Sequence, residues 1–187
     1  LLYFNNNFFT VVSYFVKMIR NNKRRNNKKN KVSKTGDLLF CCCANNKVTK
    51  IQQLLDNGAD VNATNQRGST PLHLTCWNGH IDSTRLLLEN GANVDATNKN
   101  GATPLFCACQ NNHINVVRLL LDKGADVYKE MKKGDTPLFI ACLNNYIDAA
   151  RLLLEKGAEV DRAKEDEATP LYIALSLIHI SEPTSPL

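Results

Sequence analysis

Thr-Pro-Leu occurs at residues 70–72, 103–105, 136–138 and 169–171, and Gly-Ala at 58–59, 91–92, 124–125 and 157–158. Both series advance in steps of 33. A fixed period of this length constrains the fold more than any bulk property, because it marks a chain built from one small unit used repeatedly. The turn-forming residues obey the same register. Four of the six prolines (Pro71, Pro104, Pro137, Pro170) share one column. Of the nine glycines, Gly58, Gly91, Gly124 and Gly157 share another, and Gly68, Gly101 and Gly134 a third.

Each column has a physical role. Thr70, Thr103, Thr136 and Thr169 are placed to N-cap a helix, their hydroxyls accepting from an otherwise orphan backbone N–H. The following proline takes the first helical position, where its missing donor costs nothing. A first helix then runs through Leu72, Leu74 and Thr75, or Leu105, Cys107 and Ala108. A second carries Ile81, Thr84, Leu87 and Leu88 on one apolar face. Gly91 and its equivalents end that helix in the left-handed conformation that glycine adopts cheaply. A stretch such as Val94 to Gly101 returns the chain through a turn to the next cap. One such unit cannot bury its own apolar face, so neighbours must stack.

The run Gly68-Ser69-Thr70-Pro71-Leu72-His73, through Gly79-His80, to Leu86-Leu87-Leu88-Glu89-Asn90-Gly91-Ala92-Asn93-Val94-Asp95 closely resembles the ankyrin repeat. The resemblance covers residues 35–174, read as units 35–67, 68–100, 101–133 and 134–166 with a partial fifth at 167–174. It implies an all-α ankyrin solenoid of stacked helix-turn-helix units joined by short β-turn or hairpin connections. It also implies a non-catalytic scaffold that binds another protein, or else the regulatory or targeting domain of a longer protein such as an enzyme or a ubiquitin-ligase adaptor. Asn62, in Asp60-Val61-Asn62-Ala63, resembles asparagines hydroxylated in some ankyrin proteins.

The two ends differ. In the first unit Asp37 stands in the capping column and Leu38 where proline belongs, and Gln53 fills the column of Leu86, Leu119 and Leu152. With Asn45, Asn46, Lys47, Lys50 and Gln52 this reads as a polar terminal cap. The fifth unit breaks off after Leu171-Tyr172-Ile173-Ala174. The adjoining segment, Leu175 to Thr184, resembles the conceptual translation of a transposase-type sequencing adapter. The expectation is a non-native tail over 175–187, with the natural protein continuing past Ala174. At the other end the first methionine is Met18, and residues 1–34 are expected to be a disordered or non-native leader with a polybasic segment at 17–34.

Charge bears on partners. The chain of 187 residues has a formal net charge of +5, but nine Lys or Arg and no acidic residue fall in 1–36. Residues 37–187 carry 14 basic against 18 acidic residues, so the body is mildly acidic. Nucleic-acid or membrane contact is therefore expected only through the leader. The apolar run Phe8 to Val16 is followed, not preceded, by basic residues, unlike a secretory signal. It also falls short of the roughly 20 residues of a membrane span. With seven cysteines in one chain, a reducing intracellular compartment is expected, cytoplasmic or nuclear.

Residues that suggest chemistry dissolve into the repeat. Cys43, Cys76, Cys109 and Cys142 form one column of the first helix, where cysteine acts as a small hydrophobe. Stacked helices with axes roughly 8–10 Å apart hold them too far apart for disulfides. Cys41 and Cys107 align with Leu74 and Ile140 and are also expected in the core. No C-x-x-C pair exists, and no metal or cofactor is expected. His73 alternates with Phe106, Phe139 and Tyr172, which suits packing. His80 and His113 share a column with Lys47 and Tyr146, where the resemblance implies hydrogen bonds between loops. No G-x-G, H-E-x-x-H or G-x-S-x-G occurs, so no enzymatic site and no small-molecule substrate is expected.

The resemblance further implies that a partner contacts the turn tips and the exposed side of the first helix. Carried over by position, the contact residues are Gln66, Arg67, Ser69, Trp77 and Asn78 in the second unit. The third supplies Lys99, Asn100, Gln110 and Asn111, with Ala102 beside them. The fourth supplies Lys132, Lys133, Asp135, Leu143 and Asn144. Trp77 is the sole tryptophan, and exposed aromatics commonly anchor interfaces. The tips are basic from Arg67 to Lys133 and turn acidic at Glu165, Asp166 and Glu167, which favours an acidic or mixed-charge partner. A monomer is expected. In the turn column, Asn65 and Asn98 give way to Met131 and Lys164, and Glu167 replaces a turn glycine. The hairpins that join the third unit to the fourth and the fourth to the fifth are therefore expected to be distorted, the first of them at Tyr128 to Met131.

Overall fold

The structure is a computed structural model and describes residues 30–161 and 169–171, with side chains from Thr35 onward. The chain divides into two units, Leu1–Lys34 and Thr35–Leu187, and the side-chain geometry below belongs to the second. The leader segment 1–29, the acidic turn at Glu165-Asp166-Glu167 with Lys164, and the tail 175–187 lie outside the described residues.

Eight helices succeed one another among the described residues, with no strand between them. They form four pairs: α1 (Asn30–Ala44) with α2 (Val48–Asp56), and α3 (Pro71–Trp77) with α4 (Ile81–Glu89). Next come α5 (Pro104–Gln110) with α6 (Ile114–Asp122), and α7 (Pro137–Leu143) with α8 (Ile147–Glu155). The caps are where the threonine column places them. Thr103 Oγ1 accepts from Phe106 N and Thr136 Oγ1 from Phe139 N, each at 3.1 Å. The turn inside each pair closes through one recurring backbone bond, His80 N to Thr75 O at 2.9 Å, His113 N to Ala108 O at 3.0 Å, and Tyr146 N to Ala141 O at 2.9 Å. Gly58, Gly91, Gly124 and Gly157 end the second helices with φ of +82°, +83°, +82° and +91°.

A helix of seven residues such as α5 has too few internal bonds to persist alone, so stacking must hold it. The first helices pack in series, α3 on α5 and α5 on α7, and the second helices likewise, α2 on α4 on α6 on α8. Leu39, Leu72, Leu105 and Leu138 form one buried column, and Leu54, Leu87, Leu120 and Leu153 another. The result is an all-α solenoid with a continuous core shared between neighbours.

Three details depart from the sequence-based expectation. Helix α1 starts at Asn30, so Asp37 lies inside it and not at its cap. The reason is Leu38: proline at that position would force its predecessor out of the helical region, and leucine does not. Cys41 is exposed while its column mate Cys107 is buried. In α1 the buried positions are taken by Leu39, Cys42 and Cys43, which leaves Cys41 on the exposed side. Finally, the hairpin between the third and fourth units is regular. Met131 N donates to Asp135 O at 2.9 Å just as Asn98 N donates to Ala102 O at 3.0 Å. Gly134, at φ +79°, makes the tight turn there. Met131 packs against the core in place of the hydrogen bonds an asparagine makes.

Candidate protein-binding surface

Successive hairpin tips are tied backbone to backbone. Lys99 N donates to Arg67 O, and Lys132 N to Asn100 O, each at 3.0 Å. Within the first two turns a single asparagine oxygen organises the loop. Asn65 Oδ1 accepts from Arg67 N (2.9 Å) and Ser69 N (3.1 Å), and Asn98 Oδ1 from Asn100 N (2.9 Å) and Ala102 N (3.1 Å). The side chains of Gln66, Arg67, Lys99, Asn100, Lys132 and Lys133 are left exposed, and those of Ser69 and Asp135 half-buried. The tips therefore present cations on a fixed frame.

Trp77 ends α3 with 38% of its surface exposed, and Leu143 is exposed at the equivalent place on α7. Gln110 lies between them in the column and is half-buried. The Trp77 backbone is pinned, its carbonyl accepting from His113 Nε2 at 2.9 Å. Since a carbonyl only accepts, that nitrogen carries the proton. His80 Nε2 makes the corresponding bond to Ala44 O at 3.2 Å. Both histidines thus join the loops of adjacent units.

The asparagines expected as contacts have a further role. Asn78 Nδ2 donates to Leu74 O (2.8 Å), Asn111 Nδ2 to Cys107 O (3.0 Å), and Asn144 Nδ2 to Ile140 O (2.9 Å). Each adds a side-chain bond to a carbonyl in the last turn of a first helix, where Leu74 O and Ile140 O also accept from the backbone N–H of Asn78 and Asn144. The regular spacing of Asn45, Asn78, Asn111 and Asn144 was the available signal for this role.

A second column that sequence reasoning missed bridges neighbouring units with three different side chains. Asn62 Oδ1 accepts from Asn93 N (2.8 Å) while its Nδ2 donates to Gly91 O (3.1 Å). Asp95 Oδ1 accepts from Asp126 N (3.0 Å), and the Tyr128 hydroxyl donates to Gly157 O (3.1 Å). The residue type changes and the bridge persists, which is why composition alone hides it.

His73 is buried and fully engaged. Its Nδ1 accepts from Thr70 N at 3.1 Å and lies 2.8 Å from Thr70 Oγ1, and its Nε2 reaches Ala102 O at 3.0 Å. The backbone partners fix the neutral tautomer with the proton on Nε2. Burial pushes its pKa below the usual 6.5, partly offset by the bonds to backbone carbonyls. It is a strut between units. The seven cysteines are free. Burial raises Cys43 and Cys107 to about 12, and raises Cys76, Cys109 and Cys142 as well. A thiol held protonated in this way is a poor nucleophile. Among the described residues, no three His, Cys, Asp or Glu side chains gather in a way that could hold a metal ion. No described helix is long and apolar enough to cross a membrane.

This architecture defines a helical-repeat protein whose side-chain diversity sits on the tips and on the ends of its first helices. The family model for ankyrin repeats in three copies matches residues 38–131 and 127–181, so the chain belongs to the ankyrin-repeat family. Such repeats generally serve as protein–protein interaction modules. No curated protein matches the chain.

Proposed function

We propose that the protein is a non-catalytic scaffold or adaptor that holds a partner protein along the hairpin tips and the exposed ends of α3, α5 and α7. The observation that carries this reading is Trp77. A large aromatic at the protein surface forgoes the stabilisation of full burial, on the order of 2 kcal/mol for a large apolar side chain, yet its backbone is locked by His113. An anchored, exposed aromatic in an array whose tips carry cations suits an interface core with a charged rim. The partner has acidic character, because Arg67, Lys99, Lys132 and Lys133 dominate the described tips. The free, mostly buried cysteines support a reducing, intracellular setting, and the array acts as a monomer.

The test uses a binding segment selected against the chain from a library of acidic and neutral peptides. Trp77→Ala combined with Lys132→Ala is expected to weaken the selected segment at least about tenfold, with Tm measured beside it because Trp77 is only 38% exposed and its truncation also removes packing. Added salt should weaken binding further. Unaltered affinity in the double variant would remove this surface from consideration.

A further inference from the structure

Asn-Gly occurs four times, at Asn57-Gly58, Asn78-Gly79, Asn90-Gly91 and Asn100-Gly101. In this dipeptide the side-chain amide carbon is one five-membered ring closure away from the next backbone nitrogen, and glycine has no side chain to obstruct the approach. Three of the four side chains are held away from that nitrogen. Asn57 Nδ2 donates to Gln53 O at 2.6 Å, Asn78 Nδ2 to Leu74 O at 2.8 Å and Asn90 Nδ2 to Leu86 O at 2.9 Å. Each bond turns the amide back toward a carbonyl four residues earlier in its helix. Asn100 is exposed at a hairpin tip and is tied through its backbone. Its N–H donates to Asn98 Oδ1 at 2.9 Å and its carbonyl accepts from Lys132 N at 3.0 Å. Among the described residues, no hydrogen bond holds its side-chain amide.

The glycine nitrogens do not make the difference. Gly58 N donates to Leu55 O (2.9 Å), Gly79 N to Cys76 O (3.4 Å), Gly91 N to Leu88 O (3.2 Å) and Gly101 N to Asn98 O (2.9 Å). Each must be released before it can react. Two features of the third tip favour Asn100 further. Gly101 has φ +85°, and a Cβ there would lie 3.0 Å from Lys132 N, so the crossing between tips enforces the least obstructed residue behind Asn100. The tip column also reads Arg67, Asn100, Lys133, with Lys99 adjacent and all four exposed. Cations on both sides favour the amide anion that attacks and the carboxylate that results.

We propose that Asn100 is a self-modification site, converting to aspartate and isoaspartate with water as the sole co-reactant. The Gly101 nitrogen gives its proton to solvent and forms a bond to Asn100 Cγ. The Cγ–Nδ2 bond breaks, and the amide group leaves as ammonia with a proton taken from water. Water then opens the cyclic imide. Cleavage at Cγ gives aspartate, and cleavage at the main-chain carbonyl carbon gives isoaspartate. One water is consumed and one ammonia released, with no change of oxidation state. Either product sets a negative charge between Arg67 and Lys133. Isoaspartate also lengthens the main chain by one carbon and turns the carbonyl that accepted from Lys132 N into a free carboxylate. The tip thus loses positive charge as the molecule ages.

The experiment incubates the full chain in mildly alkaline buffer and follows all four asparagines by peptide mapping and mass spectrometry. An isoaspartate-specific carboxyl methyltransferase with a labelled methyl donor marks the β-linked product. In the folded chain Asn100 is expected to convert at least about fivefold faster than Asn57, Asn78 or Asn90, with the label in the peptide that carries residue 100. In urea that unfolds the chain the four rates should converge, because the side-chain bonds are gone. Asn100→Gln, which would need a larger ring, should keep Tm and lose the early labelled product. Equal rates in the folded chain, or earlier conversion of Asn57 or Asn90, would overturn the proposal. So would a preference for Asn100 that persists in urea, since local sequence and not the fold would then select it.

Discussion

His73 shows how one residue can hold the array together and make it sensitive to pH. Its neutral form is the one that accepts from Thr70 N and donates to Ala102 O, and burial disfavours the cation. Because the folded pKa lies below the unfolded value of about 6.5, the unfolded chain binds more protons in the window beneath 6.5. Stability is therefore full above about 6.5 and declines as pH falls through that value toward the lower folded pKa. His73→Phe, the residue type found at Phe106 and Phe139, is expected to flatten the Tm-against-pH curve between about pH 7.5 and 5. A curve of unchanged slope would assign the acid sensitivity elsewhere. Gly79 carries a different kind of constraint. At φ +72° a Cβ would sit 2.5 Å from Nδ1 of the His113 ring. Gly79→Ala should cost about 2–4 kcal/mol, combining left-handed strain with loss of the His113 bond to Trp77 O. Gly124 is the control. Its φ is +82° with nothing within 4 Å of a Cβ, so Gly124→Ala should show the strain alone, about 1–2 kcal/mol. Equal losses in urea unfolding would mean that the His113 contact contributes nothing.

At the scale of the element, what was legible in the sequence is what recurs as residue type. Thr-Pro at the helix start and Gly at its end specify backbone conformation directly, so the 33-residue period located the starts of α3, α5 and α7 at Pro71, Pro104 and Pro137. The exception is α1, where Leu38 stands for proline and the helix runs back to Asn30. The hairpin between the third and fourth units departs from expectation because side-chain identity at Met131 does not decide its turn geometry. Its backbone bonds and Gly134 hold the turn, while Met131 contributes apolar packing. The candidate surface was legible in part. Exposure of Trp77 and the basic tips could be read from their columns, whereas the capping role of Asn78, Asn111 and Asn144 needed three-dimensional neighbours. This contrast between turns makes an element-level prediction. Asn98→Ala removes the acceptor shared by Asn100 N and Ala102 N and should destabilise by about 1–2 kcal/mol. Met131→Asn should gain little, since new hydrogen bonds replace lost burial. Denaturant midpoints at constant m-value would check both.

At the scale of the whole molecule, a solenoid has only nearest-neighbour contacts, so stability is the sum of unit and interface contributions and varies along the chain. The cysteines report on it because each pair carries at least one: Cys41, Cys42 and Cys43 in α1, Cys76 in α3, Cys107 and Cys109 in α5, and Cys142 in α7. A buried thiol reacts only after local opening, and burial holds these thiols protonated. Unit three has all of Pro104–Cys109 buried, whereas α7 and α8 leave Leu143, Ile147 and Leu154 exposed. Timed alkylation followed by mass spectrometry should therefore label Cys41 first and Cys142 next. Cys107 and Cys109 should come last, at least about tenfold slower than Cys142. If stability were set by one all-or-none transition, every buried cysteine would label at a single rate once its intrinsic reactivity was accounted for. Cys142 is half-buried and reacts partly from the folded state, so the comparison that separates the two cases is among the buried thiols Cys43, Cys76, Cys107 and Cys109, which label at different rates only if neighbouring units open separately.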